Sequence, residues 1–417
     1  MPNSARSSRA PSILSGSMII AGTAIGAGML ANPTATSGLW FSGSLLLLAY
    51  VWFCMCASGL MLLEASLRFP AGASFHTIVG ELLGNKWNIV TGLSVVFVLY
   101  SLTYAYTFVG GGLTQQSLDA AFSLQLPRSV TATLFLFVLA TVVASSTRWV
   151  GYLSAILIAS MLMTFIVASG GLIGQSSLSN LLNTGDHQQP IYWQFLWVAL
   201  PVCLASFGFH GNVPGLATFY KGQAQPVVRS IVGGSFLAFL IYVLWQIAVQ
   251  GNLPRTEFAP VIAADGDVSA LLTALSVHIQ TSGLQRLLNA FAFLAIISSF
   301  LGVTLGLFDY MRDLLSFSDT KLGRFKTALV TFTPPWLAYL IAPTGFVKVM
   351  GYIGLMAAIW AVLVPALLAL KSRERFPDTG YRVFGGNALI YFVMLFAFLV
   401  LAAQLLLLAD LLPVFKG

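Results

Sequence analysis

Residues 19–33 read IIAGTAIGAGMLANP, and residues 200–214 read LPVCLASFGFHGNVP. The first stretch places three glycines and then a proline inside a long apolar run, and the second places two glycines and then a proline. Glycine weakens a helix, and proline lacks the N–H group that a helix interior needs. The two stretches therefore predict two helices that are interrupted part-way along their length.

The composition surrounding these stretches is typical of a membrane protein. Of the 417 residues, 58% are hydrophobic and only 8% are charged, whereas soluble domains carry about 25% charged residues. A span of about 20 apolar residues crosses a hydrocarbon core of about 30 Å. We therefore expect an all-α polytopic protein in a lipid bilayer, with 11 transmembrane helices in segments 1 to 11, at 13–35, 41–67, 88–112, 129–146, 150–174, 192–219, 228–250, 287–311, 326–342, 346–370 and 388–410.

The two interrupted segments, 1 and 6, each begin a block of five spans. Because five is an odd number, the second block is inverted relative to the first. We predict one transporter domain over residues 1–417, with inverted repeats at 12–174 and 191–370 and an additional helix at 388–410. Paired broken helices in such halves indicate a binding site near the bilayer midplane. The alternative is that Gly22, Gly26 and Gly28 are small residues at helix contacts.

The basic residues give the orientation of the chain. The net charge is +7, but Lys and Arg lie in short loops rather than on one face, so nucleic acid is not an expected partner. Of the 20 Lys and Arg residues, 15 fall on the side of the N-terminus. The positive-inside rule then places the N-terminus in the cytoplasm and the C-terminus outside.

The motifs favour a transporter over an enzyme or a channel. The sequence lacks H-E-x-x-H and G-x-S-x-G, the glycine clusters lack the G-K-[ST] of a phosphate loop, and no polar pore lining is evident. The three cysteines lie in apolar runs and suggest neither a disulfide nor a metal site. No cofactor is expected, and the oligomeric state stays open.

Five strings resemble the bacterial aromatic amino-acid permease family, and within it the tryptophan-specific members. They are residues 19–33 and 200–214 together with WFCMCASGLMLLEASL at 52–67, VLYSLTYAY at 98–106 and SSFLGVTLGLFDY at 298–310. The resemblance continues to LLPVF at 411–415. It implies the LeuT-type fold of 5+5 inverted repeats and proton-coupled symport of an aromatic amino acid, most of all L-tryptophan, into the bacterial cell across the inner membrane. Preference for tyrosine or phenylalanine is the alternative.

The same resemblance implies a substrate site at the two interruptions. Backbone N–H groups of segment 1 would bind the substrate carboxylate, and the carbonyls of Ala205 and Ser206 would accept from its ammonium group. Helix ends carry the partial charges that suit such a zwitterion. Tyr104 would reach the carboxylate unless it serves only helix packing, and Phe207 and Phe209 could stack on an aromatic ring. The implied substrate residues are Gly22, Thr23, Ala24, Ile25, Gly26, Ala27, Gly28, Tyr104, Ala205, Ser206, Phe207, Gly208 and Phe209.

The coupling ion is where the family and the residues diverge. The resembled permease has a lysine in segment 5, and this sequence has Met161 at the matching position. Proton coupling would then fall to Glu64 or His210, because a carboxylate is costly inside a membrane and imidazole titrates near neutral pH. The rival is Na⁺, held by the hydroxyls of Ser298 and Ser299 and the carbonyls of Ala21 and Ala24. Each group also has a structural alternative: a hydrogen-bond partner for Glu64, a neutral imidazole for His210 and serines bonded back to their own helix.

Overall fold

The computed structural model describes residues 12–70, 72–145, 147–184, 192–279, 281–343, 345–377 and 380–417. Arg6 and Arg9, two of the 15 basic residues on the side of the N-terminus, lie outside these residues, as does position 191, where the second repeat is predicted to begin. Over the described residues the chain is almost entirely helical and contains no strand. The all-α expectation is confirmed.

The helices follow one another with short connections. In chain order they are α1 Ile13–Ala24, α2 Ala27–Ala35, α3 Trp40–Ser66, α4 Phe75–Leu83, α5 Asn85–Phe122, α6 Arg128–Ser145, α7 Thr147–Gln175, α8 Leu178–Leu182, α9 Leu196–Ser206, α10 Val213–Phe219, α11 Ala224–Gln250, α12 Ala259–Ala263, α13 Val268–Ser276, α14 Ser282–Leu314, α15 Lys321–Ile341, α16 Phe346–Ala357, α17 Val364–Arg375 and α18 Gly386–Leu408. A π-helical turn, Ala358–Leu363, joins α16 to α17.

The number of long apolar helices marks a polytopic membrane protein. Among the described residues nine helical stretches are long and apolar enough to cross a bilayer, including Trp193–Phe219, which contains α9 and α10, and Phe346–Arg375, which contains α16 and α17. The bent pair of α1 and α2 makes ten. Segment 9 accounts for the difference from the eleven expected. It forms α15, a helix of 21 residues, but its first turns carry Lys321, Arg324 and Lys326 and its middle carries Pro334 and Pro335. These residues lower its hydropathy below that of the other spans.

Segments 1 and 6 are interrupted where the glycines predicted it. The axes of α1 and α2 differ by 54° across Ile25 and Gly26. In segment 6, α9 ends at Ser206 and α10 begins only at Val213, with the 3₁₀ turn His210–Asn212 between them. Both interruptions predicted from the sequence are confirmed as breaks in helical structure.

The packing of the half-helices places the two breaks together in the interior. α1 packs along α11, α2 packs on α9, and α14 packs along α5 and α7. Gly234 lets α1 approach α11, because an added Cβ there would overlap the backbone oxygen of Ser17. Large aromatic side chains fill the space around the breaks, and Phe207, Tyr242, Trp245 and Phe291 are fully buried. The core of the protein therefore surrounds the interrupted backbone.

Candidate substrate site

The break in segment 1 leaves one free helix end on each side of Gly26. The N–H of Ile25 closes α1 by donating to the carbonyl of Ala21 at 2.7 Å, and Gly26 is extended, with φ −167° and ψ −152°. The first N–H of α2, from Ala27, donates to the hydroxyl of Ser299 on α14 at 3.0 Å. An added Cβ at position 26 would collide with that hydroxyl, so any other residue there would have to displace the acceptor of the Ala27 N–H.

The break in segment 6 lies directly against segment 1. The hydroxyl of Ser206 lies 3.0 Å from the carbonyl of Gly28 and 2.8 Å from Oδ1 of Asn32. A Cβ on Gly28 would come within 3.1 Å of the Ser206 Cα, so glycine permits this close approach. Pro214 lies in the first turn of α10, where a proline costs no helical hydrogen bond.

Two side-chain contacts join the breaks to each other. The hydroxyl of Tyr242, on α11, lies 2.6 Å from the carbonyl of Ala24 and 2.5 Å from that of Ser206. On the other side of the breaks, Nδ2 of Asn212 donates to the hydroxyl of Thr23 at 2.5 Å. The structure thus brings together two helix C-terminal ends, with partial negative charge, and the N-terminal end of α2, with partial positive charge. This arrangement suits a zwitterion.

Open space adjoins the breaks on the side of α1 and α10. Thr23, Gly208 and Gly211 are exposed although they lie in or beside apolar spans. An added Cβ on Gly22 or Gly211 would meet no other atom within 4 Å. The remaining residues of the two predicted stretches are mostly buried, namely Ala24, Ile25, Gly26, Ala27, Gly28, Ser206, Phe207 and Phe209, whereas Ala205 is half-buried.

The aromatic candidates have partners within the protein. The hydroxyl of Tyr104 donates to the carbonyl of Ala342 at 2.8 Å, beyond the end of α15. The ring of Phe207 packs on Tyr242 with centroids 4.8 Å apart, and Phe209 stacks on His210 at 4.6 Å. The structure therefore places Tyr104 against α15 and the two phenylalanines in the packed core around the breaks.

The four oxygens of the possible sodium site each have a protein partner. The carbonyl of Ala21 accepts from Ile25 within segment 1, and that of Ala24 faces Tyr242. The hydroxyl of Ser298 donates back to Ala295 at 3.1 Å, as membrane serines often do, and lies 3.8 Å from the sulfur of Met161. The hydroxyl of Ser299 accepts from Ala27. Met161 and Ser298 are thus neighbours across α7 and α14.

Glu64 is fully buried and paired, as a charge inside a membrane protein requires. Its two oxygens accept from Nε and Nη2 of Arg373 at 2.6 and 2.8 Å, and Oε2 also accepts from the N–H of Val383 at 2.7 Å. Burial and the nearby Glu64 carboxylate raise the pKa of the Tyr381 phenol in the same loop. The contacts of Glu64 are those of a carboxylate that joins α3 to α17 and to the connection before α18.

His210 lies on the segment 6 break and is fully buried. Its ring lies between Phe209 and Trp360, 6.2 Å from the latter. Neither ring nitrogen makes a hydrogen bond of good geometry to a described residue, and the ring interacts with the backbone of Met55. Of the candidate carriers, His210 adjoins the breaks, and Glu64 is held in an ion pair.

The comparisons with known proteins give the family of this chain. A model of the tryptophan/tyrosine permease family matches residues 9–404. The chain belongs to this family. A tryptophan-specific transport protein of Haemophilus influenzae is 54% identical over 402 residues, which cover 95% of this chain and 96% of the relative.

Other permeases of the family are also similar over nearly their whole length. A low affinity tryptophan permease of Escherichia coli K12 is 42% identical, with 93% of each chain covered. A tyrosine permease of Enterobacter agglomerans is 36% identical, with 97% of this chain and 98% of the relative covered. The resemblance seen in the sequence is confirmed, and the relatives of this permease are named as transport proteins rather than enzymes.

Tyr242 is the residue at the site that sequence reasoning missed. It lies in segment 7, 36 residues beyond Ser206 and 218 beyond Ala24, inside an apolar helix with no motif around it. A single hydroxyl in such a helix carries no signal of its partners. Only the packing of α11 on both breaks in this permease brings it to the two carbonyls.

Proposed function

We propose that this permease imports aromatic amino acids, with L-tryptophan as the preferred substrate. The observation that carries the proposal is the pairing of opposite helix ends at the two breaks, with the carbonyls of Ala24 and Ser206 facing Tyr242 and the N–H of Ala27 nearby. These backbone groups can hold the ammonium and carboxylate of a zwitterion without a full protein charge. The names of the tryptophan-transporting relatives support the choice of side chain.

The proposed architecture is the LeuT-type fold with 11 spans. In this proposal α15 is the remaining crossing, the repeats occupy residues 12–174 and 191–370, and α18 is the additional helix at 388–410. Support comes from the position of the two breaks, which lie in the first span of each block of five. The basic start of α15 would lie at the cytoplasmic surface, where Lys and Arg are favoured.

The proposed location is the bacterial inner membrane, with a cytoplasmic N-terminus and a periplasmic C-terminus. The bias of Lys and Arg toward the loops on the N-terminal side supports this orientation. The space beside Thr23, Gly208 and Gly211 would then lead from the breaks to the cytoplasm.

The proposed driving force is a proton gradient, with symport of H⁺ and substrate. We assign the proton carrier to His210 rather than Glu64, because Glu64 is neutralised by Arg373 whereas His210 lies on the break itself. Na⁺ is the rival coupling ion. The proximity of the Ser299 hydroxyl to the segment 1 break is the observation in its favour.

Uptake of labelled L-tryptophan by proteoliposomes, with each ion gradient imposed separately, tests this proposal. We expect saturable accumulation with an inward H⁺ gradient in sodium-free buffer, and no added effect of an inward Na⁺ gradient at equal pH. Accumulation that requires Na⁺ would replace the coupling ion and leave the transport function intact. No saturable uptake under either gradient would contradict the transport function.

A further inference from the structure

One buried hydroxyl connects the two broken segments. Tyr242 is fully buried on α11, and its ring packs on Phe207. Its oxygen lies 2.6 Å from the carbonyl oxygen of Ala24 and 2.5 Å from that of Ser206. These carbonyls belong to the last residues of α1 and α9. Tyr242 therefore touches both of the helix ends that carry partial negative charge.

The three oxygens have too few hydrogens among them. A phenol has one O–H hydrogen and can donate it to only one of the two carbonyls at a time. No backbone N–H in the described part of the chain donates to the carbonyl of Ala24 or to that of Ser206 outside regular helix bonding. One of the two short contacts of Tyr242 thus lacks a hydrogen. A donor placed among these oxygens would supply it.

A primary ammonium group has the required number of donors. Its three N–H bonds can reach three acceptors, and carbonyl and phenol oxygens retain lone pairs when Tyr242 donates its own hydrogen. Hydrogen bonds to a charged group are also the stronger kind. Thr23 precedes Ala24 and Gly208 follows Ser206 by two residues, and both are exposed, so the protein surface comes within two residues of each carbonyl along the chain.

We propose that Tyr242 is the positioning residue for the α-ammonium group of the substrate. Its hydroxyl sets the spacing of the Ala24 and Ser206 carbonyls and provides the third oxygen of the site. This inference rests on the proposed transport of aromatic amino acids. It makes Tyr242 the residue that distinguishes an α-amino acid from an acid of the same shape that lacks the amine.

The test compares two ligands that differ only in the amino group. L-Tryptophan and indole-3-propionate are measured as competitors of labelled L-tryptophan, in wild-type protein and in Tyr242→Phe. The phenylalanine keeps the ring that packs on Phe207 and removes only the oxygen. The matched control is Tyr220→Phe, because the buried hydroxyl of Tyr220 also joins segments, bonding to the carbonyl of Ser12 at 2.7 Å, but lies at the far end of α1.

We expect Tyr242→Phe to weaken the apparent affinity for L-tryptophan at least about tenfold, which is the loss that follows from removing one hydrogen bond to a charged group. The apparent affinity for indole-3-propionate should change less than about twofold by the same reasoning. Retained binding of this ligand would show that the variant is folded. Tyr220→Phe should change the apparent affinity for either ligand by less than about twofold.

Three results would overturn the inference. An equal loss of apparent affinity for both ligands would mean that the hydroxyl only supports packing. Unchanged binding of both ligands would mean that the amine is recognised elsewhere. An effect that appears only in sodium buffer, and equally for both ligands, would mean that the oxygens serve Na⁺. Wild-type protein that binds no L-tryptophan would instead contradict the proposed function itself, before any variant is compared.

Discussion

The hydroxyl oxygen of Ser299 accepts a hydrogen bond from the backbone N–H of Ala27 at 3.0 Å. The two residues are 272 positions apart in the chain. The contact fixes the first residue of α2 against α14, on the opposite side of Gly26 from the Tyr242 contact. The break in segment 1 is thus held by a side chain from each of two neighbouring helices.

Ser299→Ala should slow tryptophan uptake. It removes the acceptor of the Ala27 N–H, and a buried donor without a partner costs about 1–3 kcal/mol. We expect an initial rate lowered roughly tenfold, the equivalent of about 1.4 kcal/mol, under a proton gradient. The control is Ser298→Ala, since Ser298 bonds back to its own helix. Wild-type uptake by Ser299→Ala, together with lost uptake by Ser298→Ala, would contradict this role.

Gly26→Leu and Gly208→Leu should each abolish transport while the protein is still expressed and folded. The added side chain would occupy the space where backbone approaches the ligand. Alanine variants distinguish position 26 from position 208, because the two positions differ in how closely other atoms approach an added Cβ. Gly26→Ala should also impair transport, because its Cβ would displace the Ser299 hydroxyl that accepts from Ala27, whereas a Cβ on Gly208 has its nearest contact at 3.6 Å, the carbonyl oxygen of Ala205.

Gly211→Ala is the matched control for these glycine variants, because its Cβ would meet no atom within 4 Å. It should transport at close to the wild-type rate. Near-normal uptake by both leucine variants would show that the glycines are helix contacts rather than parts of a site.

Much of this architecture could be predicted because it depends on local chemistry. Gly22, Gly26 and Pro33 act on the backbone that carries them, so the breaks are visible in the sequence. The contacts that complete the site are not local: Tyr242 meets Ala24 across 218 residues, and Arg373 meets Glu64 across 309. Nothing in the residues beside Tyr242 specifies such partners, because they are set by how whole helices pack.

Segment 9 shows where a prediction from hydropathy falls short. Segment 9 was counted from its apolar residues, but α15 begins five residues earlier, at Lys321, and includes three basic residues. Its buried face contains Thr327, Thr331, Pro335 and Tyr339. Packing against other helices lets such residues form a long helix, and hydropathy alone is a poor guide to it.

Loss of the Glu64–Arg373 ion pair should destabilise the protein. Removing one member of a buried pair leaves an uncompensated charge and costs about 3–5 kcal/mol. We expect Glu64→Gln to lower the apparent Tm of the detergent-solubilised protein by several degrees. In the control Lys371→Met, which breaks an exposed pair with Glu374, the Tm should stay near that of wild type. Unchanged stability of Glu64→Gln, with lost proton coupling, would instead make Glu64 the proton carrier.

His210→Gln should uncouple transport from the proton gradient. If His210 carries the proton, the variant cannot accumulate tryptophan under an inward H⁺ gradient. It should still exchange internal for external tryptophan, since exchange needs no net proton movement. The control is His278→Gln, because His278 pairs with Glu257 outside the spans. Full H⁺-driven accumulation by His210→Gln would contradict the assignment.

The most direct test of the central claim is competition for labelled L-tryptophan uptake in proteoliposomes by single unlabelled amino acids. The helix ends hold the ammonium and carboxylate in this account, and an aromatic side chain lies beyond them. The competing amino acids should therefore follow a clear order. Tryptophan should compete best, tyrosine and phenylalanine more weakly, and leucine and serine hardly at all. Leucine or serine competing as well as tryptophan would contradict the account.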